Sequence, residues 1–201
     1  MKPSVIAWLA CVLGLTALAV FVGPTLLSAP TTTTTRAQGE ALVGGDFTLL
    51  GVGGKEVRAS DFKGRYMLVY FGFTHCPDIC PTTLLTMQNA LNDLGEDATK
   101  IVPIFITLDP ERDDAETVAN YVQNFSPSLI GLTGTPEQIR AVADMYKVYY
   151  SKVEDKNSAM GYMVDHSSFI YLMDKEGKYL AHFAHTLPEQ TLVTKLREAI
   201  K

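Results

Sequence analysis

The amino-acid sequence predicts an α/β domain in which a central mixed β-sheet is flanked by helices. Between residues 66 and 146, short apolar runs typical of strands alternate with segments in which apolar residues recur at helical spacing. Later in the chain, two strand-like runs, 168–173 and 178–183, flank the turn DKEG, and an amphipathic segment, 188–200, follows them. Strand–helix alternation followed by a hairpin and a helix is typical of one sheet with helices on both faces.

The domain is predicted to begin with a hairpin and a buried strand. The runs DFTLL at 46–50 and KEVR at 55–58 are separated by GVGG, which favours a tight connection between two short strands. The apolar, aromatic run YMLVYF at 66–71 predicts the central strand. A helix is predicted over 82–94, because leucines and a methionine recur there at helical spacing and Gly95 ends the pattern.

The next predicted elements in chain order are a strand at 101–106, a helix at 113–125, a short strand at 129–133, a helix at 135–146 and a strand at 147–153. The two helices are predicted to begin at capping boxes, DDAE from Asp113 and TPEQ from Thr135. Pro103 cannot donate a hydrogen bond to a sheet, so we expect a bulge or an edge at that residue. A polar loop is expected at 154–158.

Length and charge limit the classes of function. The chain has 201 residues, 47% of them hydrophobic, and a net charge of −5 at pH 7. This length is enough for one domain with a sizeable core and a short additional segment. The sequence contains no cluster or stripe of basic residues, so nucleic-acid binding is disfavoured.

The N-terminal segment predicts a membrane anchor. Residues 5–22 carry no charge and are almost entirely apolar, and the run approaches the length that crosses a bilayer as a helix. Lys2 favours a cytoplasmic N-terminus, and a cleaved signal peptide is the alternative. The predicted organisation is a cytoplasmic N-terminus at 1–4, a transmembrane anchor at 5–27, a flexible, threonine-rich linker at 28–40 and a soluble domain at 41–201.

Two cysteines follow the central strand. Cys11 lies in the apolar N-terminal segment, which leaves Cys76 and Cys80 in the motif CPDIC. Two cysteines are too few for a disulfide scaffold, and the start of a helix favours the thiolate that attacks disulfides or binds metals. The i, i+4 spacing places both sulfurs on one side of a helical turn, where they can form a disulfide or hold one ion. A dithiol after an early strand, in this order of elements, fits a thioredoxin-like fold.

A thiolate site for a soft metal needs a third ligand, and histidine is the usual one. His166 is the preferred candidate, because we expect it at the junction between a loop and the strand at 168–173. Asp165 could orient its ring. The other histidines and the nearby methionines are expected to pack in loops or to lie on the surface: His75, His182, His185, Met160 and Met163.

Four segments resemble the SCO/SenC family of membrane-anchored copper-binding proteins: FGFTHCPDICP, ITLDPERD, GLTGTPEQI and VDHSSFIYLMD. The resemblance covers essentially the whole predicted soluble domain and implies a thioredoxin-like fold with a copper site formed by Cys76, Cys80 and His166. Two thiolates and an imidazole suit Cu(I), and Cu(II) is the other oxidation state considered. In the oxidised form the same two cysteines would instead form a disulfide. Asp78 and Asp109 are expected to support the site or to dock a partner.

The same resemblance implies the partners. Family members deliver copper to the binuclear copper centre of cytochrome c oxidase, or keep the cysteines of that centre reduced. We therefore expect a metallochaperone more than an enzyme, with the copper-bearing oxidase subunit as recipient and another copper chaperone as donor. A thiol–disulfide oxidoreductase is the alternative. The expected location is the bacterial inner membrane with the domain in the periplasm, since the sequence has no Arg-rich presequence. The mitochondrial inner membrane, facing the intermembrane space, is the alternative.

Overall fold

The computed structural model describes residues 42–154 and 161–200, which belong to one compact unit. The predicted anchor at 5–27 and the predicted linker at 28–40 lie outside these ranges, so both stay predictions. No helix in the described ranges is long and apolar enough to cross a membrane.

Five strands form the central sheet of the described residues. In chain order, the strands are β1 (Thr48–Leu50), β2 (Glu56–Arg58), β3 (Tyr66–Gly72), β4 (Ile101–Thr107), β5 (Ile130–Leu132), β6 (Tyr150–Glu154), β7 (Tyr162–His166), β8 (Phe169–Met173) and β9 (Tyr179–Ala184), and the helices are α1 (Ile79–Leu94), α2 (Ala115–Gln123), α3 (Pro136–Met145) and α4 (Glu189–Ala199). The central sheet has the order β5-β4-β3-β8-β9, while β1-β2 and β6-β7 form separate pairs. β3 runs parallel to β4 and antiparallel to β8, so the sheet is mixed, as the sequence predicts.

β3 lies at the centre of the domain, and all seven of its residues are buried. Successive side chains of a strand point to opposite faces of the sheet. Tyr70 accordingly faces Cys80 of α1, whereas Phe71 packs against Tyr146 at the end of α3, with ring centroids 5.2 Å apart. Helical segments therefore pack on both faces of the sheet, which confirms the predicted α/β architecture.

The predicted hairpin at 46–58 is present as the antiparallel pair β1-β2. The prediction for Pro103 is half right. Pro103 pairs in unbroken register with Leu68 of β3, so the expected bulge is absent. On the other side of β4, β5 pairs only with Ile104 to Ile106. Pro103 therefore lies beyond the end of that ladder, where its missing N–H costs no hydrogen bond.

A strand that the sequence does not reveal carries His166. β7 pairs antiparallel with β6, and its last residue, His166, lies opposite Tyr150. The predicted loop–strand junction is therefore wrong, because the histidine ends one strand and a short turn leads to β8. β7 is difficult to recognise, since only Val164 among its residues is buried and the alternation that marks a strand is weak.

Candidate metal site

β3 and α1 place the two cysteines beside each other. Cys76 lies half-buried in the turn that follows β3, and Cys80 is the second residue of α1 and is fully buried. The Cys80 N–H donates to Cys76 Sγ over 3.4 Å, in agreement with the i, i+4 spacing. Both are free thiols. The pair therefore presents one sulfur near the surface and keeps the other beneath it.

Gly72, the last residue of β3, allows α1 to approach this closely. A Cβ atom at Gly72 would lie 2.7 Å from Cys80 Sγ and 2.9 Å from a ring carbon of Phe105. Both distances are well inside the ordinary van der Waals separation of about 3.5–4.0 Å. On the same face, the Tyr70 O–H points to Cys80 Sγ over 3.8 Å. The end of β3 is therefore shaped around the Cys80 sulfur.

The two thiols differ in acidity. The Cys80 thiol donates a hydrogen bond to Cys76 Sγ, which stabilises the Cys76 thiolate and lowers the pKa of Cys76 to about 5. Burial opposes this effect, and the N–H groups of Cys80 and Asp78 reinforce it. The same hydrogen bond keeps the proton on Cys80 and, together with burial, raises the pKa of that thiol. At neutral pH the pair consists of an accessible thiolate above a buried thiol.

The His166 ring lies against Cys80. Its Nε2 is 3.7 Å from Cys80 Sγ, and its Nδ1 is 3.1 Å from the Ser167 carbonyl oxygen. A carbonyl can only accept, so Nδ1 carries the proton and Nε2 presents its lone pair to the sulfur. The rings of Phe73 and Tyr70 meet the imidazole edge-on, with centroids 6.1 and 6.4 Å away. Burial lowers the pKa of His166, which keeps the imidazole neutral at pH 7.

Two exposed carboxylates line the cleft beside the thiols. Asp78 belongs to the cysteine turn and Asp165 to β7, and Met163 lines the same cleft. The sequence suggests that Asp165 orients the His166 ring, but Nδ1 of that ring bonds to the Ser167 carbonyl. Asp165 acts on the imidazole through its charge, which favours the protonated form.

The three predicted donors lie close together, but their positions do not yet form a metal-binding geometry. In the part of the chain that the structure describes, no three His, Cys, Asp or Glu side chains form a ready-made metal site. Cys80 and His166 are fixed by a helix and a strand, whereas Cys76 belongs to a turn and is half-exposed. Cys76 is therefore the donor with the greatest freedom to adjust. Met160, near this site in sequence, lies outside the described residues.

Comparison with known proteins agrees with the resemblance seen in the motifs. The SCO1/SenC family model matches residues 35–201. The chain belongs to the SCO1/SenC family. An SCO2-like protein of Rickettsia prowazekii is 45% identical over 141 residues, which cover 70% of this chain and 69% of the relative. Arabidopsis thaliana ScoI with copper bound has a TM-score of 0.74 at 42% identity, covering 79% of this chain and 98% of that one. Bradyrhizobium japonicum ScoI with copper bound has a TM-score of 0.70 at 40% identity, covering 78% and 99%.

Asp109 of this SCO1/SenC protein is buried, which favours support of the site over partner docking, the two roles predicted for it. Its side chain is 0% exposed and cannot contact a partner. It accepts hydrogen bonds from the Tyr162 O–H, over 2.7 Å, and from Arg112 Nε. The Arg112 guanidinium also stacks on the Tyr162 ring, 3.7 Å from its centroid. Asp109 thus ties the loop after β4 to the start of β7, the strand that ends at His166.

Asp113 is the residue of this region that sequence reasoning missed. The capping box was expected to begin there, but Asp114 is the N-cap of α2. Asp113 is fully buried and accepts hydrogen bonds from the Thr74 N–H and from the Thr74 and Thr107 hydroxyls. Thr74 precedes Cys76 by two residues, so Asp113 holds the cysteine turn. The one available signal is the doublet of carboxylates, since only one of two adjacent residues can cap a helix.

The other histidines lie away from the thiols. His75 points to Asp113, with Nδ1 3.5 Å from Oδ1. His182 is exposed on β9, which agrees with the predicted surface position. His185 is half-buried, with Nδ1 3.3 Å from the Ser168 carbonyl oxygen.

Proposed function

We propose that this chain is a copper metallochaperone that binds one copper ion through Cys76, Cys80 and His166. The observation that carries the proposal is the position of His166, whose Nε2 is 3.7 Å from Cys80 Sγ and which lines the same cleft as Cys76. Two sulfurs and one imidazole nitrogen are a soft donor set, which suits Cu(I) and serves Mg²⁺ poorly. A Zn²⁺ ion would prefer a fourth ligand.

The protonation states of the donors support this proposal. Metal ligands of these types must be deprotonated thiols and neutral imidazoles. Cys76 is already a thiolate at neutral pH and His166 is already neutral, so only Cys80 has a proton to release when copper binds. The half-exposed Cys76 is also the sulfur that a partner's ligand could reach first. Transfer by ligand exchange would therefore begin at Cys76.

The identity of the cargo and of the recipient is supported by relatives. Two ScoI proteins of 42% and 40% identity have structures with copper bound. Resemblance to the family makes the copper-bearing subunit of cytochrome c oxidase the proposed recipient and another copper chaperone the proposed donor. Asp78, exposed at the cleft, is proposed to meet the partner.

Copper titration of the reduced, full-length chain tests the ligand set. Wild type is expected to bind one Cu(I) per chain. His166→Ala is expected to weaken binding by more than ~100-fold, because even partners of a ligand change affinity by roughly 10- to 100-fold. His182→Ala is the matched control, since it removes an exposed imidazole of β9. Unchanged stoichiometry and affinity in His166→Ala would remove His166 from the site.

The second candidate function is thiol–disulfide exchange, which the unequal acidity of the two thiols favours. The Cys76 thiolate would attack one sulfur of a partner disulfide, forming a mixed disulfide and releasing a partner thiolate. Cys80 would then lose its proton and attack Cys76 Sγ, forming the Cys76–Cys80 disulfide and releasing the second partner thiolate. The two electrons pass to the partner, whose cysteine pair is reduced.

The two functions are separated by their dependence on His166. Reduction of an oxidised peptide bearing the oxidase subunit's cysteine pair is the direct assay, together with the reduction potential of the Cys76/Cys80 couple. We expect His166→Ala to abolish tight copper binding and to leave thiol exchange nearly unchanged. Rapid turnover of the peptide by a chain that binds no copper would favour the oxidoreductase.

We also propose that residues 5–27 anchor the domain and that residues 28–40 hold it off the bacterial inner membrane, on the periplasmic side. The support is the uncharged apolar run at the N-terminus. The mitochondrial inner membrane is the alternative. Protease added to intact spheroplasts should release the domain and leave the anchor in the membrane fraction. Protection of the domain would contradict the proposed orientation.

A further inference from the structure

The loop between β4 and α2, residues 108–114, contacts both arms of the candidate site. One arm is the cysteine turn after β3, and the other is β7, which ends at His166. Two of the four carboxylates of the loop, those of Asp109 and Asp113, are 0% exposed. Buried carboxylates are costly unless their oxygens are hydrogen-bonded, so their partners show what the loop holds in place.

Each carboxylate holds one arm. Asp113 accepts hydrogen bonds from the Thr74 N–H over 2.9 Å and from the Thr74 hydroxyl over 2.5 Å. Thr74 lies two residues before Cys76. Asp109 accepts from the Tyr162 hydroxyl over 2.7 Å, at the start of the strand that carries His166. These hydrogen bonds offset the cost of burying the two carboxylates, so breaking either attachment would leave a buried polar group without its partner.

Thr107, the last residue of β4, joins the Asp113 carboxylate to the backbone of Asp109. Its hydroxyl donates to Asp113 Oδ2 over 2.6 Å and accepts from the Asp109 N–H over 3.0 Å. The hydroxyl is therefore used as donor and as acceptor, and its side chain is fully buried. These bonds and the covalent link between the backbone and the carboxylate of Asp109 connect five residues, which we call the brace: Thr74, Asp113, Thr107, Asp109 and Tyr162.

We propose that the brace sets the position of His166 relative to Cys76 and Cys80. Among the described residues, no brace side chain is hydrogen-bonded to either thiol or to the His166 ring. Its members are positioning residues, which act through the turn and the strand that they hold. The inference rests on the proposed function in one respect, because one of its two tests measures copper binding. The other test measures amide hydrogen exchange.

Tyr162→Phe in the full-length chain tests the brace at its far end. The change removes one hydroxyl and keeps the ring under Arg112, so we expect the fold to be retained. The thermal unfolding midpoint checks this. We expect Cu(I) affinity, measured against a chromophoric chelator, to fall about tenfold, the equivalent of one hydrogen bond. We also expect the sulfur-to-Cu(II) charge-transfer band to shift. Tyr149→Phe is the matched control, because that hydroxyl bonds to Ser151 outside the brace.

A double-mutant cycle tests whether the brace acts as a unit. Thr107→Val breaks its centre and Tyr162→Phe breaks its end. If the chain of bonds positions the site as a whole, the double variant should lose no more copper affinity than the more affected single variant. Losses that simply add would overturn the inference, because each residue would then act alone.

A second readout needs no copper. In Tyr162→Phe, the amide hydrogen of Thr74 should exchange several-fold faster, because the brace relaxes at its other end. If wild type binds no Cu(I), the proposed function fails and amide exchange alone decides the inference. Suppose instead that wild type binds Cu(I) and that Tyr162→Phe shows the wild-type Cu(I) affinity, absorption band and Thr74 exchange rate. The positioning role of the brace would then be wrong, and the proposed function would stand.

Discussion

Alkylation of Cys76 by iodoacetamide should titrate with a midpoint near pH 5, because the hydrogen bonds from Cys80 lower the pKa of Cys76 to about 5. The thiolate is the reacting form, so the rate should rise as the pH rises through the midpoint and level off above it. Cys80 is buried and its pKa is raised, so it should stay unreactive over the same range. Mass spectrometry of peptides from the reduced, metal-free, full-length chain separates the two cysteines.

The midpoint is more informative than the rate at pH 7. With a pKa of about 5, about 99% of Cys76 is thiolate at pH 7, against about 1% for an ordinary thiol with a pKa of 9.0. This hundredfold gain is offset by lower nucleophilicity, which falls with a Brønsted coefficient of about 0.4–0.5, or about 40- to 100-fold over this shift. The two effects nearly cancel at pH 7, and only the pH dependence reveals the acidity.

Cys80→Ala is the companion variant for this titration. It removes the side-chain hydrogen bond that contributes most to the low pKa of Cys76 and leaves the backbone N–H groups in place. The midpoint should therefore rise. A wild-type midpoint near 9.0, the value for an unperturbed thiol used above, would refute the hydrogen-bonded arrangement of the pair.

Three further predictions concern the packing around the site and the core. Gly72→Ala should destabilise the domain by about 1–3 kcal/mol in urea unfolding and weaken copper binding, since its Cβ would lie 2.7 Å from Cys80 Sγ; wild-type stability would contradict the close approach. Tyr146→Phe should be neutral or stabilising in the same assay, because the buried Tyr146 hydroxyl has no hydrogen-bond partner among the described residues. Thr135→Ala should cost about 1 kcal/mol by removing the N-cap of α3, and an unchanged urea midpoint would contradict the capping box.

Much of the fold can be predicted from apolar periodicity and capping signals. The run at 66–71 is buried on both sides, and Thr135 caps α3 through the predicted box. β7 is the exception, because its pairing with β6 leaves most of its side chains partly exposed. Such a strand forms because it pairs with a neighbouring strand, and its own sequence shows little alternation of apolar and polar residues.

The candidate site is only partly predictable for a related reason. Cys76 and Cys80 are close in sequence, and a single helical turn brings them together. His166 is 86 residues from Cys80, so only the fold brings the two side chains together. From the sequence, His166 is identified as a ligand through its resemblance to the family motif. The brace is still harder to predict from the sequence, because the pattern around Asp113 indicates a capping box. Only the structure shows that Asp113 is buried and accepts three hydrogen bonds.

X-ray absorption on the copper-loaded, full-length chain tests the proposed ligand set, because it counts the atoms bound to the metal. We expect two sulfur ligands and one nitrogen ligand on copper, from Cys76, Cys80 and His166. His166→Ala should lose the nitrogen contribution and keep both sulfurs. A wild-type spectrum with fewer than two sulfurs, or one that is unchanged in His166→Ala, would contradict the proposed site.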